Sequence, residues 1–267
     1  MFNFLKGILI GIGGITPGLS GSVLMVIFGL YEKVIETIRN LFTFKNFKND
    51  LLFLIPIGLG MVSGVLLFSK IVNFLLERYE MYTRFTFLGL VIGTLPLFYK
   101  EVKKKDFKNI YHILIAFAVL AGLLLLFLGK GLFPQVDNPA PPQSFFMGFT
   151  FAASATVPGI DNSVILSVFG FYEGFVSALD SINIYVLAFV AVGVIVGVIS
   201  ISFIMNFLLK KHYSITFSII FGLFISIIPS VLNESCVLAL NMASAISILL
   251  MILGFFASYL LGTKKKD

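Results

Sequence analysis

With a single cysteine, Cys236, the chain cannot close a disulfide within itself, and two isolated histidines, His112 and His212, form no clustered metal-ligand pattern. Charge is also scarce: Asp, Glu, Lys and Arg make up 12% of the 267 residues, against about a quarter in soluble domains. Apolar residues take that place, at 58% of positions and a mean hydropathy of +1.04. This composition excludes an ordinary soluble domain and points to an all-α integral membrane protein crossing the bilayer several times. The net charge of +6 does not indicate nucleic acid. The lysines sit in short loops beside apolar segments, where they set orientation or meet anionic membrane lipids. No metal, cofactor or catalytic group is implied. Both histidines fall near lysines at expected helix ends, an interfacial setting.

One phrase organises what is present. Gly11 to Glu32 reads GIGGITPGLSGSVLMVIFGLYE, and Ala155 to Glu173 reads ATVPGIDNSVILSVFGFYE. Pro17, Gly18, Ser22, Phe28, Gly29, Tyr31 and Glu32 recur 141 positions later as Pro158, Gly159, Ser163, Phe169, Gly170, Tyr172 and Glu173. The first 16 residues hold a lysine, an apolar run and small residues, as a secretory signal does. Because that segment has an internal counterpart, it is read as part of the folded protein.

A transmembrane helix needs about 20 apolar residues. The runs on either side of Pro17-Gly18 are each near 13 residues, long enough to enter the bilayer and too short to cross it. Proline removes a backbone donor and disfavours helix at Thr16, and glycine permits a reversal. The pattern predicts re-entrant hairpins over 4–32 and 144–172; the competing form is one kinked, tilted helix from Phe4 to Tyr31.

Beyond Glu32 a polar stretch is expected, then spans at 51–69, 85–99 and 111–128, with a loop holding Lys70, Glu77, Arg78, Glu80 and Arg84 between the first two. A proline-rich connector leads to the second half, with spans at 184–208, 214–229 and 237–261. Gly60, Gly64, Asn73, Gly89 and Pro96 reappear 133 positions on as Gly193, Gly197, Asn206, Gly222 and Pro229. Two registers of agreement indicate an internal duplication, residues 1–130 and 131–267. With three spans per half, the halves would be inverted. That topology puts 15 of the 19 Lys and Arg on the cytoplasmic side, with both termini. Inverted halves with interrupted helices are a layout of secondary transporters, whose binding site lies between the repeats near the midplane.

The breaks carry the candidate chemistry. A helix starting after Pro-Gly leaves its first N–H groups unpaired and favours an anion; Ser20, Gly21 and Ser22 add hydroxyls and close backbone approach. Two such ends would hold a phosphate or carboxylate, the competing role of Ser20 and Ser163 being to cap their helices. Asp161 occupies the place of Ser20 and would repel a phosphate if ionised. It could be a protonated or cation-binding group, or a cap. Glu32 and Glu173 end their arms at the two interfaces as structural groups, and Arg84 is a candidate for drawing in an anionic headgroup.

These two phrases resemble the paired Pro-Gly-x-Ser-Gly motifs of the polyprenyl-phosphate translocase family, the PopT type, and the resemblance extends over essentially the whole chain. It implies a lipid flippase in the bacterial plasma membrane that returns undecaprenyl phosphate, the cell-envelope lipid carrier, from the outer to the cytoplasmic leaflet for cell-wall biogenesis, with coupling to a proton or sodium gradient. The implied phosphate-binding residues are Thr16, Pro17, Gly18, Ser20, Gly21 and Ser22 in the first tip and Pro158, Gly159, Asn162 and Ser163 in the second, with Asp161 the candidate for ion coupling. Asp161-Asn162 departs from the Ser-Gly usual in the second motif. An undecaprenyl-diphosphate phosphatase-like enzyme is disfavoured, since Gly21 stands where its arginine would be and no Glu-rich motif is present. A small-ion secondary transporter is the further alternative, and homo-oligomeric assembly is left open.

Overall fold

The computed structural model describes residues 2–15, 20–43, 46–129, 133–136, 139–181, 183–233, 236–239 and 241–263. Among the described residues the regular structure is all helical: α1 (Phe2–Ile15), α2 (Gly21–Ile27), α3 (Tyr31–Thr43), α4 (Phe47–Arg78), α5 (Glu80–Val102), α6 (Tyr111–Leu128), α7 (Pro141–Thr156), α8 (Asn162–Val168), α9 (Tyr172–Asp180), α10 (Ile184–Lys211), α11 (Tyr213–Ser226) and α12 (Met242–Thr263), with a 3₁₀ turn at Ile228–Val231 after α11. Among the described residues, six helices are long and apolar enough to cross a membrane: α4, α5, α6, α10, α11 with its 3₁₀ turn, and α12. Each falls on one expected span.

The expected boundaries need correction at several points. The loop expected between the first two spans is helical on both sides of Tyr79, where the backbone breaks at φ −136° and ψ 43°. At 32 residues, α4 is about 48 Å long. It therefore overruns roughly 30 Å of hydrocarbon, and its charged last turns need no loop to reach water. The polar stretch after Glu32 is the helix α3, which buries Val34 and Ile35 and packs Ile38 against a core formed with Leu30 and Ile57. The last span starts at Met242, later than expected.

The arm after each break is also shorter than expected. Helices α2 and α8 have seven residues each. Each stops at a glycine with positive φ, Gly29 at +61° and Gly170 at +69°. Leu30 N–H returns to the Met25 carbonyl (2.8 Å) and Phe171 N–H to that of Leu166 (2.7 Å). These are Schellman stops, for which glycine has no Cβ penalty. The recurring Gly-Φ-Tyr-Glu therefore ends one helix and starts the next.

Glycines also set the packing of the repeated elements. Helix α1 lies along α4, and α7 along α10. A Cβ on Gly60 would overlap the Phe4 carbonyl oxygen, and one on Gly193 that of Phe145. The halves are interlocked as well, with α5 against α12 and α11 against α6. Between α5 and α11 lies an aromatic core in which the Phe98 ring is 5.4 Å from Phe221 and 5.5 Å from Phe224. Val23 and Val26 of α2 belong to this core.

Gly60→Val and Gly193→Val should each destabilise the protein by about 1–3 kcal/mol through overpacking, seen as a lower melting temperature in detergent. Unchanged melting of both would mean that these helices do not approach so closely.

Candidate functional site

Thr16, Pro17 and Gly18 lie outside the described residues, so the first break is described from Ser20 onward. Ser20 occupies the N-cap position of α2 with extended backbone (φ −75°, ψ 131°), yet its side chain makes no cap bond. Its hydroxyl lies 2.7 Å from that of Ser22, which is buried. Gly21 faces α1: a Cβ there would sit 2.9 Å from the Ile10 carbonyl oxygen and 3.7 Å from Gly14 Cα. Helix α2 packs on α1. The two serine hydroxyls form a pair at the start of a helix, where the first-turn N–H groups have no partner within the helix.

The second break is built differently. After α7 ends at Thr156, Val157 is extended (φ −87°, ψ 116°), and Pro158 is fully buried. Gly159 takes φ +83°. A Cβ on it would come within 2.6 Å of Phe224 N and 2.8 Å of the Ile220 carbonyl oxygen, so glycine is required for both conformation and packing. Asp161 Oδ1 accepts from Val164 N–H at 3.2 Å and so caps α8. Asn162 opens that helix and Ser163 is its second residue. For Ser163 the description covers the backbone alone. The 141-residue repeat thus carries two different chemistries, a hydroxyl pair and a carboxylate cap.

The breaks are joined by a residue with no assigned role in the sequence pattern. Tyr31 Oη donates to the Thr156 carbonyl at 3.0 Å, so the chain leaving the first break reaches the end of the helix entering the second. The Tyr31 side chain is buried and lies edge-on to Phe217.

Beside Tyr31 a polar clasp closes one end of the bundle. Glu32 meets Lys104 at 3.3 Å and Lys105 at 3.6 Å. Tyr213 Oη donates to Glu32 (3.3 Å) and Glu101 (2.9 Å), and Lys210 pairs with Glu36 at 2.6 Å. Burial works against the charge on Lys104. The hydrogen bond and attraction of Glu101, then those of Glu32, outweigh it and hold the ammonium above its ordinary value. These groups come from α3, α5 and the turn after it, α10 and α11, so the clasp ties the two halves together. Only Glu32 stood out in the sequence, because its partners are remote along the chain.

Arg84 lies apart from this clasp, at the start of α5. Its guanidinium pairs with Glu80 (2.9 Å) and donates to the Val231 carbonyl (3.0 Å), tying α5 to the 3₁₀ turn. Glu173 accepts from Gln135 at 3.0 Å. Among the described residues, no three His, Cys, Asp or Glu side chains are placed to hold a metal ion.

A family profile described as undecaprenyl phosphate translocase-like matches residues 10–246, a range containing both breaks. The chain belongs to this family. It is 29% identical over 175 residues to a polyprenyl-phosphate transporter of Staphylococcus aureus, covering 62% of this chain and 61% of the relative. It is 24% identical over 205 residues to a polyprenyl-phosphate transporter of Vibrio cholerae, covering 72% and 64%. The matched region thus spans under two thirds of either curated relative. No solved structure matches the chain.

Tyr31→Phe should cost about 1–3 kcal/mol by leaving the Thr156 carbonyl unpaired, measured as a fall in melting temperature that Lys104→Met does not reproduce in size, since half-exposed ion pairs contribute little. The raised value of Lys104 means that its contribution is complete below the unfolded lysine pKa. It is lost only as pH rises through the higher folded value, so the clasp's lysine term should be flat between pH 6 and 9. A melting curve that falls across that range only when Lys104 is present would contradict this.

Proposed function

We propose that this protein carries undecaprenyl phosphate across the bacterial plasma membrane, from the outer to the cytoplasmic leaflet. The observation that carries the reading is the family match, which includes both interrupted helices. The names of the two relatives support a polyprenyl phosphate as substrate. Moving a phosphate unaided through hydrocarbon is opposed by desolvation of order 20 kcal/mol in the idealised limit. A transporter must therefore supply polar groups at depth, and the Ser20–Ser22 hydroxyl pair with the first-turn N–H groups of α2 can accept that role.

In this reading residues 1–130 and 131–267 are inverted repeats, each a re-entrant hairpin followed by three spans, and the phosphate passes between them. The clustering of basic residues around the clasp supports a cytoplasmic position for that end, by the preference of Lys and Arg for that side. The clasp would then be the closed inner gate. Opening it frees Lys104 and Lys105 from Glu32, and a phosphate arriving there replaces the carboxylate as their partner. Asp161 is the candidate for coupling to protons or sodium, through exchange between its capping bond and an ion.

Purified protein in liposomes should flip fluorescent undecaprenyl phosphate when a proton or sodium gradient is imposed, and release no inorganic phosphate from undecaprenyl diphosphate. Robust phosphate release without flipping would replace the transporter with an enzyme. Ser22→Ala should lower flipping about tenfold or more, the scale of a lost charge-assisted hydrogen bond, in protein that melts normally. Full transport by that variant would move the phosphate away from α2. Asp161→Asn should remove the gradient dependence; a retained dependence would leave Asp161 as a cap alone.

A further inference from the structure

A second feature lies at the opposite end of α5 from the clasp. A cleft of about 490 Å³ opens between α4 and α12, with α5 as its floor. Leu75 and Tyr79 form one wall, Ile246 and Leu250 the other, and Thr86 and Phe87 the base. The threonine hydroxyls near it are already committed to backbone carbonyls. Thr86 donates to the Tyr82 carbonyl at 2.7 Å, and Thr83 to that of Tyr79 at 2.8 Å. The cleft therefore offers methyl and ring surface and little that would hold a phosphate. Outside it, Phe74 and Leu249 are more than half exposed, on helices apolar enough to face lipid.

We propose that this cleft seats the isoprenoid tail of the polyprenyl phosphate, next to the path of its headgroup. The proposal rests on the function proposed above. Position supports it: α5, which floors the cleft, also packs against α2, the helix that carries Ser22. A substrate with its phosphate at the hydroxyl pair would run its first isoprene units along α5 to the cleft. The volume is that of a small-molecule pocket, enough for part of a long tail, the remainder staying in lipid through the open side.

The physics sets what such a seat can do. A tail entering it moves from hydrocarbon to hydrocarbon, so no hydrophobic transfer energy is gained. Selection then depends on shape and van der Waals contact alone. The cleft should therefore discriminate a methyl-branched tail from a straight acyl chain and contribute less to affinity than the phosphate site.

The test uses the full chain in phosphatidylglycerol and phosphatidylethanolamine nanodiscs with undecaprenyl phosphate carrying a diazirine near the head of its tail. Photolabelling should fall on peptides covering 75–87 and 246–250, and be competed by unlabelled undecaprenyl phosphate but not by an equal excess of phosphatidylglycerol. Thr86→Trp and Leu250→Trp, at wild-type melting temperature, should each reduce that labelling about tenfold, equivalent to ~1.4 kcal/mol. Labelling elsewhere in a wild-type protein that flips lipid would overturn the cleft alone, as would equal competition by phosphatidylglycerol. A wild-type protein that neither flips nor labels would overturn the proposed function together with the cleft.

Discussion

The hydrogen bond from Tyr31 to the Thr156 carbonyl addresses the main difficulty of this architecture. A helix that ends away from water leaves its last carbonyls without partners unless other protein groups supply them. Pro158 removes a further donor from the turn. The chain answers with protein. A hydroxyl from the opposite half reaches the exposed carbonyl, and the Gly159 turn rests on the backbone of α11. The break at Pro158 is therefore an enclosed junction, and the tyrosine of the Gly-Φ-Tyr-Glu phrase is explained by the other half of the molecule.

From that junction the rest of the bundle can be followed. The aromatic core of Phe98, Phe217, Phe221 and Phe224 holds α5 and α11 together beneath both interrupted segments. The exchange of partners, α5 with α12 and α6 with α11, means that neither half buries its helices alone. Movement between the halves would strain the clasp first, because its ion pairs are partly exposed, while the aromatic core is not.

Much of this was legible in the sequence. The six spans followed from hydropathy, since a bilayer imposes a length that composition must satisfy. The duplication was visible in two registers, and the structure gives each a mechanical sense: the glycines at Gly60 and Gly193 are contact points for the helix preceding each break. The arms were misjudged because Phe28-Gly29 and Phe169-Gly170 are as apolar as the helices around them, and hydropathy does not register a positive φ. Helix α3 was hidden for the opposite reason. Glu32, Lys33, Glu36 and Arg39 outweigh a narrow apolar stripe at Val34 and Ile38 that continues from Leu30.

The sequence by itself determined the apolar character, the six candidate spans and the recurrence of residues at spacings of 133 and 141, because each is written in local composition and spacing. Only the tertiary structure decided what the breaks touch. It paired Ser20 with Ser22, turned Asp161 to cap α8, gave Arg84 to Glu80 and Val231, and drew Glu32 into a clasp with Lys104 and Tyr213. The Arg84–Val231 bond and the clasp join residues from remote parts of the chain. They depend on how helices pack, which side-chain volume and close backbone approach decide and local pattern does not encode.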